Sequence, residues 1–462
     1  IKLGSQQVAK DSSEQLGQKA DSISQTLTTI KDAMEKKIGE LDKELRELRE
    51  NNRSQFDNVG KAVDTLSRRT ENLNEVLSNS QKRGQWGERL AEDMLRAVGF
   101  VDGVNYTKQD INAAGGVLGK CVSVSHKDSG DTSTDTATQS ATALINEGVD
   151  AIVGAASSGV SLSVIDQVTG AGVVQISPAN TSPTLSTYAD NGFYFRTAPS
   201  DVLQGRVLGN LITGDGNEKV GFLTIQDPYG TGLYENAKIS IEAGGGSVVA
   251  NEEFAGGTKN FSAQVDKVLA AAPDAIVVIS FDEAKSILPE LVKVKGWDPT
   301  KLYLVDGNTG NFDADFTDFN IAGAQGTIPG VIASDDFKTR LAAVNAELTV
   351  WAYAAESYDA TMLVALAAAT AAKAGEEVTG ANISKYMAEV SSGGEKVDFS
   401  QPGAFKKAMD LINAGTDIDF EGVSGPISFD ANGDPTEAYV GIYLFDEKNI
   451  NTGVDSEYGK LD

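Results

Sequence analysis

Histidine and cysteine are almost missing from this sequence, with one of each, His126 and Cys121, among 462 residues. A single cysteine excludes an intrachain disulfide and any cysteine-rich metal centre. A single histidine excludes paired-histidine zinc motifs and leaves one candidate base for a serine or cysteine triad. Long apolar runs are lacking too: the longest, residues 362–372, is interrupted by Thr370 and falls far short of the roughly 18 residues of a membrane span. Basic residues are outnumbered, 39 against 66 acidic ones, for a net charge of −27. Such a surface repels phosphate and anionic lipid, which argues against nucleic acid and membrane surfaces as partners. No GxSxG elbow, P-loop or GxGxxG occurs, so the chain points to binding rather than catalysis, with no catalytic residue, metal or cofactor expected. The start, Ile1-Lys2-Leu3-Gly4, has no initiator Met and no signal-peptide-like segment, and reads as a fragment or a processed form.

Charge divides the chain. Residues 1–110 carry 18 basic and 19 acidic residues, residues 111–462 carry 21 and 47, and glycine becomes dense after Gly115. A junction is expected near Asp110. In the first part apolar positions recur at Ile23, Leu27, Ile30, Met34, Ile38, Leu41, Leu45 and Leu48 and onward to Leu77, at a mean step of 3.6 residues. Steps of three and four alternate as in a coiled coil, with stutters at 30-34-38 and 48-52-56 that unwind the supercoil. The spacing predicts one long, nearly straight coiled-coil helix over residues 1–82. Its thin stripe needs a partner helix, either from another copy, giving self-association, or from its own chain.

After this helix stand Arg83-Gly84-Gln85-Trp86-Gly87-Glu88 and Gly99-Phe100-Val101-Asp102-Gly103-Val104-Asn105-Tyr106. Over about residues 20–109 the chain resembles the RmuC family of DNA recombination proteins, in which a coiled coil leads through an RGxWGE-type motif into a nuclease-like domain. Segment 83–110 reads as a truncated piece of that family, cytoplasmic in character. The acidic and lysine cluster of a nuclease does not follow. Glu88 alone cannot hold a catalytic Mg²⁺, which takes one or two carboxylates plus substrate phosphates, so a helix-start motif with a packing Trp is the plainer reading.

Beyond residue 111 short β-rich runs alternate with helical stretches, at 121–126, 151–154, 173–176, 220–225, 275–280 and 302–305. This predicts an α/β fold of doubly wound parallel sheets. Asp150-Ala151-Ile152-Val153 is echoed by Asp274-Ala275-Ile276-Val277, which suggests two similar lobes. Ligands in such sheets sit beyond the carboxyl ends of the strands. There the first lobe offers Gly154-Ala155-Ala156-Ser157-Ser158-Gly159-Val160-Ser161, where Ser157, Ser158 and the free N–H groups of a helix start make either an anion site or an ordinary serine N-cap. The next strand ends in Ile176-Ser177-Pro178-Ala179-Asn180-Thr181-Ser182-Pro183, a second polar loop at the same edge, which favours the anion site.

These segments, with Ile111-Asn112-Ala113-Ala114-Gly115-Gly116, Tyr229-Gly230, Phe261-Ser262, Ser357-Tyr358-Asp359-Ala360 and Gly425-Pro426-Ile427-Ser428-Phe429-Asp430, occur in one order. In that order the chain from 111 to about 445 resembles the type I periplasmic solute-binding proteins of the leucine/isoleucine/valine-binding family of ABC importers. The resemblance implies a two-lobed type I periplasmic-binding-protein fold. Lobe 1 would be 111–200 plus 327–425 and lobe 2 would be 201–326 plus 426–462, with crossovers near Pro199-Ser200, Gly326-Thr327 and 422–425. It implies that Ser158, the Ala179 backbone and Thr181 hold a ligand carboxylate, that Tyr229 closes over it, and that Asp306 takes an ammonium. Phe281 and Asp282 would face the ligand side chain, with Asp282 in place of an aromatic. The implied function is capture of a branched-chain or related small amino acid or amide by hinge closure, in the periplasm or at the cell surface, for delivery to an ABC permease. In that family a strand and a helix precede Ile111; residues 1–110 stand in their place, so lobe 1 is expected to lack its first strand and helix. Two other readings are an oligomeric RmuC-like protein carrying a passenger domain and a ligand-binding sensor domain.

Overall fold

A computed structural model describes residues 36–37, 100–331, 333–343, 348 and 351–461. The expected coiled coil of residues 1–82, with the self-association assigned to it, and the motif at 83–88 lie outside the described residues, except that Lys36 and Lys37 are helical. The described residues between 100 and 461 belong to one compact unit.

Its first element is helix α1 (Phe100–Ala113). Val104, Thr107 and Ile111, at steps of three and four, are buried, and Ile111 belongs to a core shared with the long helix Ala354–Lys373. Tyr106 stacks on Tyr358 of that helix at 5.8 Å, and the Tyr358 hydroxyl donates to Asp110 at 2.8 Å. The expectation that lobe 1 lacks its first helix is therefore corrected, and the junction expected near Asp110 falls inside this helix. Asp102-Gly103 and Asn105 give the stretch turn-like local chemistry, which packing overrides.

Segment 121–126, expected as a strand, forms none. A parallel strand needs a bonded neighbour on its edge, and here the Asn112 side chain takes both backbone groups of Val122 instead, at 2.7 and 3.0 Å. Among the described residues the lobe 1 sheet has three parallel strands, β1 (Ala151–Val153), β2 (Val174–Ser177) and β3 (Tyr194–Arg196), in the order β1-β2-β3. Helices α2 (Thr136–Glu147) and α3 (Ser158–Gly170) pack on Ile152. On the other face Val174 and Ile176 join a core with α9 (Ala354–Lys373) and α10 (Gly380–Val390), which pack on the strand, and with α8 (Asp335–Ala342) and α11 (Ala404–Ala414). Cover on both faces is what parallel strands require. A small sheet of β9 (Glu395–Asp398), β10 (Ile418–Gly422) and β11 (Gly425–Pro426) joins this lobe.

The second lobe has seven strands in the order β13-β12-β8-β7-β6-β4-β5. Strands β4 (Lys219–Ile225), β5 (Ser247–Phe254), β6 (Ala275–Ile279), β7 (Leu302–Leu304) and β8 (Gln325–Pro329) are parallel, while β12 (Glu437–Phe445) runs antiparallel to β8 and to β13 (Asn451–Lys460). The all-apolar β6 is buried throughout, as its run of β-branched residues requires. Helices α4 (Asp201–Gly214), α5 (Pro228–Ala243), α6 (Ser262–Ala270) and α7 (Ala284–Leu288) cover it.

The chain passes between the lobes at 197–200, after β8 and at 427–436. Gly326-Thr327, expected at a crossover, lies inside β8. Gly326 is glycine for packing: a Cβ there would sit 2.2 Å from the Tyr443 ring. The expected crossover at 422–425 is the turn between β10 and β11. No described helix is long and apolar enough to cross a membrane.

Candidate functional site

The two polar loops of lobe 1 lie side by side, as the sequence suggests. Ser157 caps α3, accepting from the Val160 N–H at 3.4 Å. Ser158 is buried, and its hydroxyl accepts from the backbone N–H groups of both Thr181 and Ser182 at 3.2 Å. Asn180 donates to the Ala155 and Ala156 carbonyls at 3.1 and 2.8 Å, tying the second loop to the first. Ala179 is held by its N–H on Ser177 Oγ at 3.2 Å. Behind them Arg196, fully buried at the end of β3, makes a two-pronged bond to Asp434 with both arms at 2.6 Å and also donates to the Ser182 carbonyl at 2.9 Å. One guanidinium thus fixes the second loop to the crossover at 427–436.

Lobe 2 supplies the opposite wall. Asp227 caps α5 through the Tyr229 N–H at 2.9 Å, and the Tyr229 ring stacks on Phe281 at 5.4 Å. Asp306 follows β7 in a short 3₁₀ turn, Asp306–Asn308. Asn308 anchors that turn, donating to Val278 O at 2.8 Å and accepting from the Val305 N–H at 2.9 Å. Gly307 has to be glycine, since a Cβ would lie 2.6 Å from the Ser280 carbonyl and 3.0 Å from the Tyr229 hydroxyl. Asp282 does not face the cleft: its side chain is solvent-exposed, 3.6 Å from Lys285, so it does not replace an aromatic at the ligand.

Asp306 is buried and accepts three bonds, from Tyr229 at 2.8 Å and Gln204 at 2.8 Å on Oδ1 and from Tyr353 at 2.6 Å on Oδ2. Burial pushes its carboxyl pKa up, and these donors oppose the rise. Burial, and then the Asp306 charge, hold the phenols of Tyr229 and Tyr353 far above their ordinary range, so both remain donors. Tyr353 has left-handed backbone, φ 60°, a conformation that costs a non-glycine residue roughly 1–2 kcal/mol and that aims its hydroxyl at Asp306.

Sequence reasoning missed Asp201 and Gln204. They stand one turn apart at the start of α4, which Ser200 caps, directly after the Pro199-Ser200 crossover. Their i, i+3 spacing on one helix face was the available signal. Asp201 is fully buried, and neither of its carboxylate oxygens has a hydrogen-bond partner; nor have Gln204 Oε1 and Thr181 Oγ1. Burial, followed by the charge of Asp306, drives the Asp201 pKa well above the usual carboxylate range, and the nearby Thr181 hydroxyl opposes this only in part. The lobes touch around this chamber, where Ser182 Oγ donates to the Pro228 carbonyl at 2.9 Å. The two buried carboxylates, with both oxygens of Asp201 and Gln204 Oε1 unpartnered, form an acceptor cluster suited to a small cation bearing several N–H donors. The N–H groups of Ala179, Thr181 and Ser182 are taken by serine hydroxyls, so the hydroxyls of Ser158 and Thr181 are the groups of these loops that suit the anionic end of the same molecule.

A two-lobed α/β protein with parallel sheets and a polar chamber between its lobes belongs to the class of solute-binding proteins. Residues 102–446 match the family described as receptor family ligand binding region, and the chain belongs to that family. Residues 14–121 match the RmuC family, so both matches include most of α1. A similar protein is the chemotactic signal transduction system substrate-binding protein BasB of Halobacterium salinarum, 26% identical over 76% of this chain and 82% of its own length. Another is a Leu/Ile/Val-binding protein homolog of Brucella melitensis, 26% identical over 47% of this chain and 58% of its own length. Among solved structures, the branched-chain amino acid transporter substrate-binding protein LivJ of Streptococcus pneumoniae, in complex with isoleucine, aligns with a TM-score of 0.61 at 24% identity over 79% of this chain and 94% of that one. The fold is that of these solved substrate-binding proteins.

Proposed function

We propose that this protein captures a small zwitterionic amino acid, or a related amide, between its lobes and presents the closed form to an ABC permease outside the cytoplasm. The observation that carries this is the meeting of the lobe 1 loops of Ser158, Ala179 and Thr181, whose hydroxyls can donate, with a buried acceptor cluster of Asp306 and Gln204 under Tyr229, while Asp201 lies against Thr181, its N–H on the Thr181 carbonyl at 2.7 Å. A ligand carboxylate would lie on the first and its ammonium on the second. The ammonium would compensate buried carboxylates that otherwise repel one another. Ligand touching both lobes favours the closed state by its differential affinity for that state. No bond is broken, so the role is not enzymatic.

The test is a thermal melt of the full chain with the twenty amino acids and short amides. A ligand at a hundredfold excess over Kd adds about 2.7 kcal/mol of stability. A sharp melt that no compound moves would overturn the proposal. The similarity to BasB supports a second reading, in which the closed form signals to a chemotaxis transducer. Ligand-dependent stimulation of a reconstituted permease's ATP hydrolysis would favour the importer, and ligand-dependent capture of a transducer the sensor.

A further inference from the structure

A groove of about 280 Å³ opens beside the chamber. Its walls include Ile328, Val331, Trp351, Tyr353 and Tyr443, and Lys338 is its only charged lining residue among the described residues. Tyr353 belongs to both spaces, with its hydroxyl on Asp306 and its side chain lining the groove. Tyr443 is likewise shared, its hydroxyl donating to the Val305 carbonyl at 2.9 Å, one residue before Asp306. Tyr353 and Tyr443 thus border both the groove and the Asp306 cluster.

Size and charge restrict the occupant. The volume is nearly twice the about 150 Å³ of a cavity that takes up benzene, more than a branched four-carbon side chain needs. Among the described residues no Asp or Glu lines the groove, although the chain carries 66 acidic residues. Lys338 stands on α8 of lobe 1, partly shielded from solvent, with Asp335 a distant partner at 3.8 Å. Resting on the function proposed above, we infer that the groove takes the side chain of a 2-aminodicarboxylic acid longer than glutamate. Its apolar spacer lies along Trp351, Ile328 and Tyr443, and its distal carboxylate pairs with Lys338.

The test compares 2-aminopimelate, 2-aminoheptanoate and leucine by calorimetric titration of the full chain and of Lys338→Gln. A charge-assisted bond of this kind amounts to about ten- to a hundredfold in affinity. The expected result is that 2-aminopimelate binds at least tenfold more tightly than 2-aminoheptanoate, and that Lys338→Gln abolishes this difference while leaving leucine binding unchanged. Equal binding of the two long ligands, or a preference for the methyl-ended one, would overturn the inference and leave the proposed function standing. A folded chain that binds none of the three would overturn both. Lys338 lies outside the chamber, and leucine binding by the variant reports that it is folded.

Discussion

Asp306 and Asp201 occupy one chamber under opposite conditions. Three donors stabilise the Asp306 carboxylate, and Asp306→Asn should weaken amino acid binding about ten- to a hundredfold, measured by titration calorimetry. Asp201 has no bonded donor, so its charge is a cost in the ligand-free chain. A carboxyl whose folded pKa lies above its unfolded one contributes stability below the unfolded value and loses it as pH rises through the folded one. Asp201→Asn should therefore raise the ligand-free stability by on the order of 1 kcal/mol at pH 7, give no gain at pH 3 to 4, and weaken binding. Denaturant titrations at both pH values, with and without ligand, check the three signs together. Gly307→Ala would press a Cβ to 2.6 Å from the Ser280 carbonyl; overpacking of this kind costs typically about 1–3 kcal/mol. Of these positions Asp306 was singled out through the family resemblance, which implies an acid after the 302–305 strand, where it is the only carboxylate before Asp313. Asp201 was not: its i, i+3 spacing to Gln204 puts the two on one helix face, but only packing shows that face to be buried.

Among the elements, α1 decides how much of the binding unit the chain supplies. Ile111 is fully buried in the core around α9, so Ile111→Ala should lower the stability of the ligand-binding unit by about 2–5 kcal/mol. A ligand-sensitive melt unchanged by that substitution would assign α1 to the N-terminal unit instead. Helix α9 holds the β10–β11 turn through Asp359, which accepts from the Val423 and Ser424 N–H groups at 2.9 and 2.7 Å and from the Ser424 hydroxyl at 2.5 Å. Burial, only partly offset by these donors, pushes the Asp359 pKa up to about 7. The folded value again lies above the unfolded one, so the stability present below about pH 4 is lost progressively up to about pH 7, at about 1.36 kcal/mol per pH unit. The fall should be shallower in Asp359→Asn, read from melting temperatures across that range. The strands at 151–154, 173–176, 220–225, 275–280 and 302–305 were legible because buried parallel strands write themselves as apolar runs. The short β3 and the half-exposed β5 have no such runs, and segment 121–126 has the pattern of a strand without a neighbour to pair with.

At the scale of the whole molecule, the chain joins an acidic binding unit to an N-terminal segment with a different charge balance. The thin apolar stripe from Ile23 to Leu77 leads to the expectation that the full chain self-associates. Sedimentation over a range of concentrations should give an oligomer, and a monomer throughout would count against that helix pairing between copies. Periodicity by itself determined the strands alternating with helices and the two loops that end at one sheet edge, and the order of the motifs carried the resemblance to the family. Each of these is written in neighbouring residues. Only the tertiary structure decided that α1 belongs to lobe 1, that Asp282 faces solvent, and that Asp201, Gln204, Tyr229, Asp306 and Tyr353 share one chamber. Burial and electrostatic coupling depend on distances between residues up to about 150 positions apart, and the packing of the two lobes creates those distances.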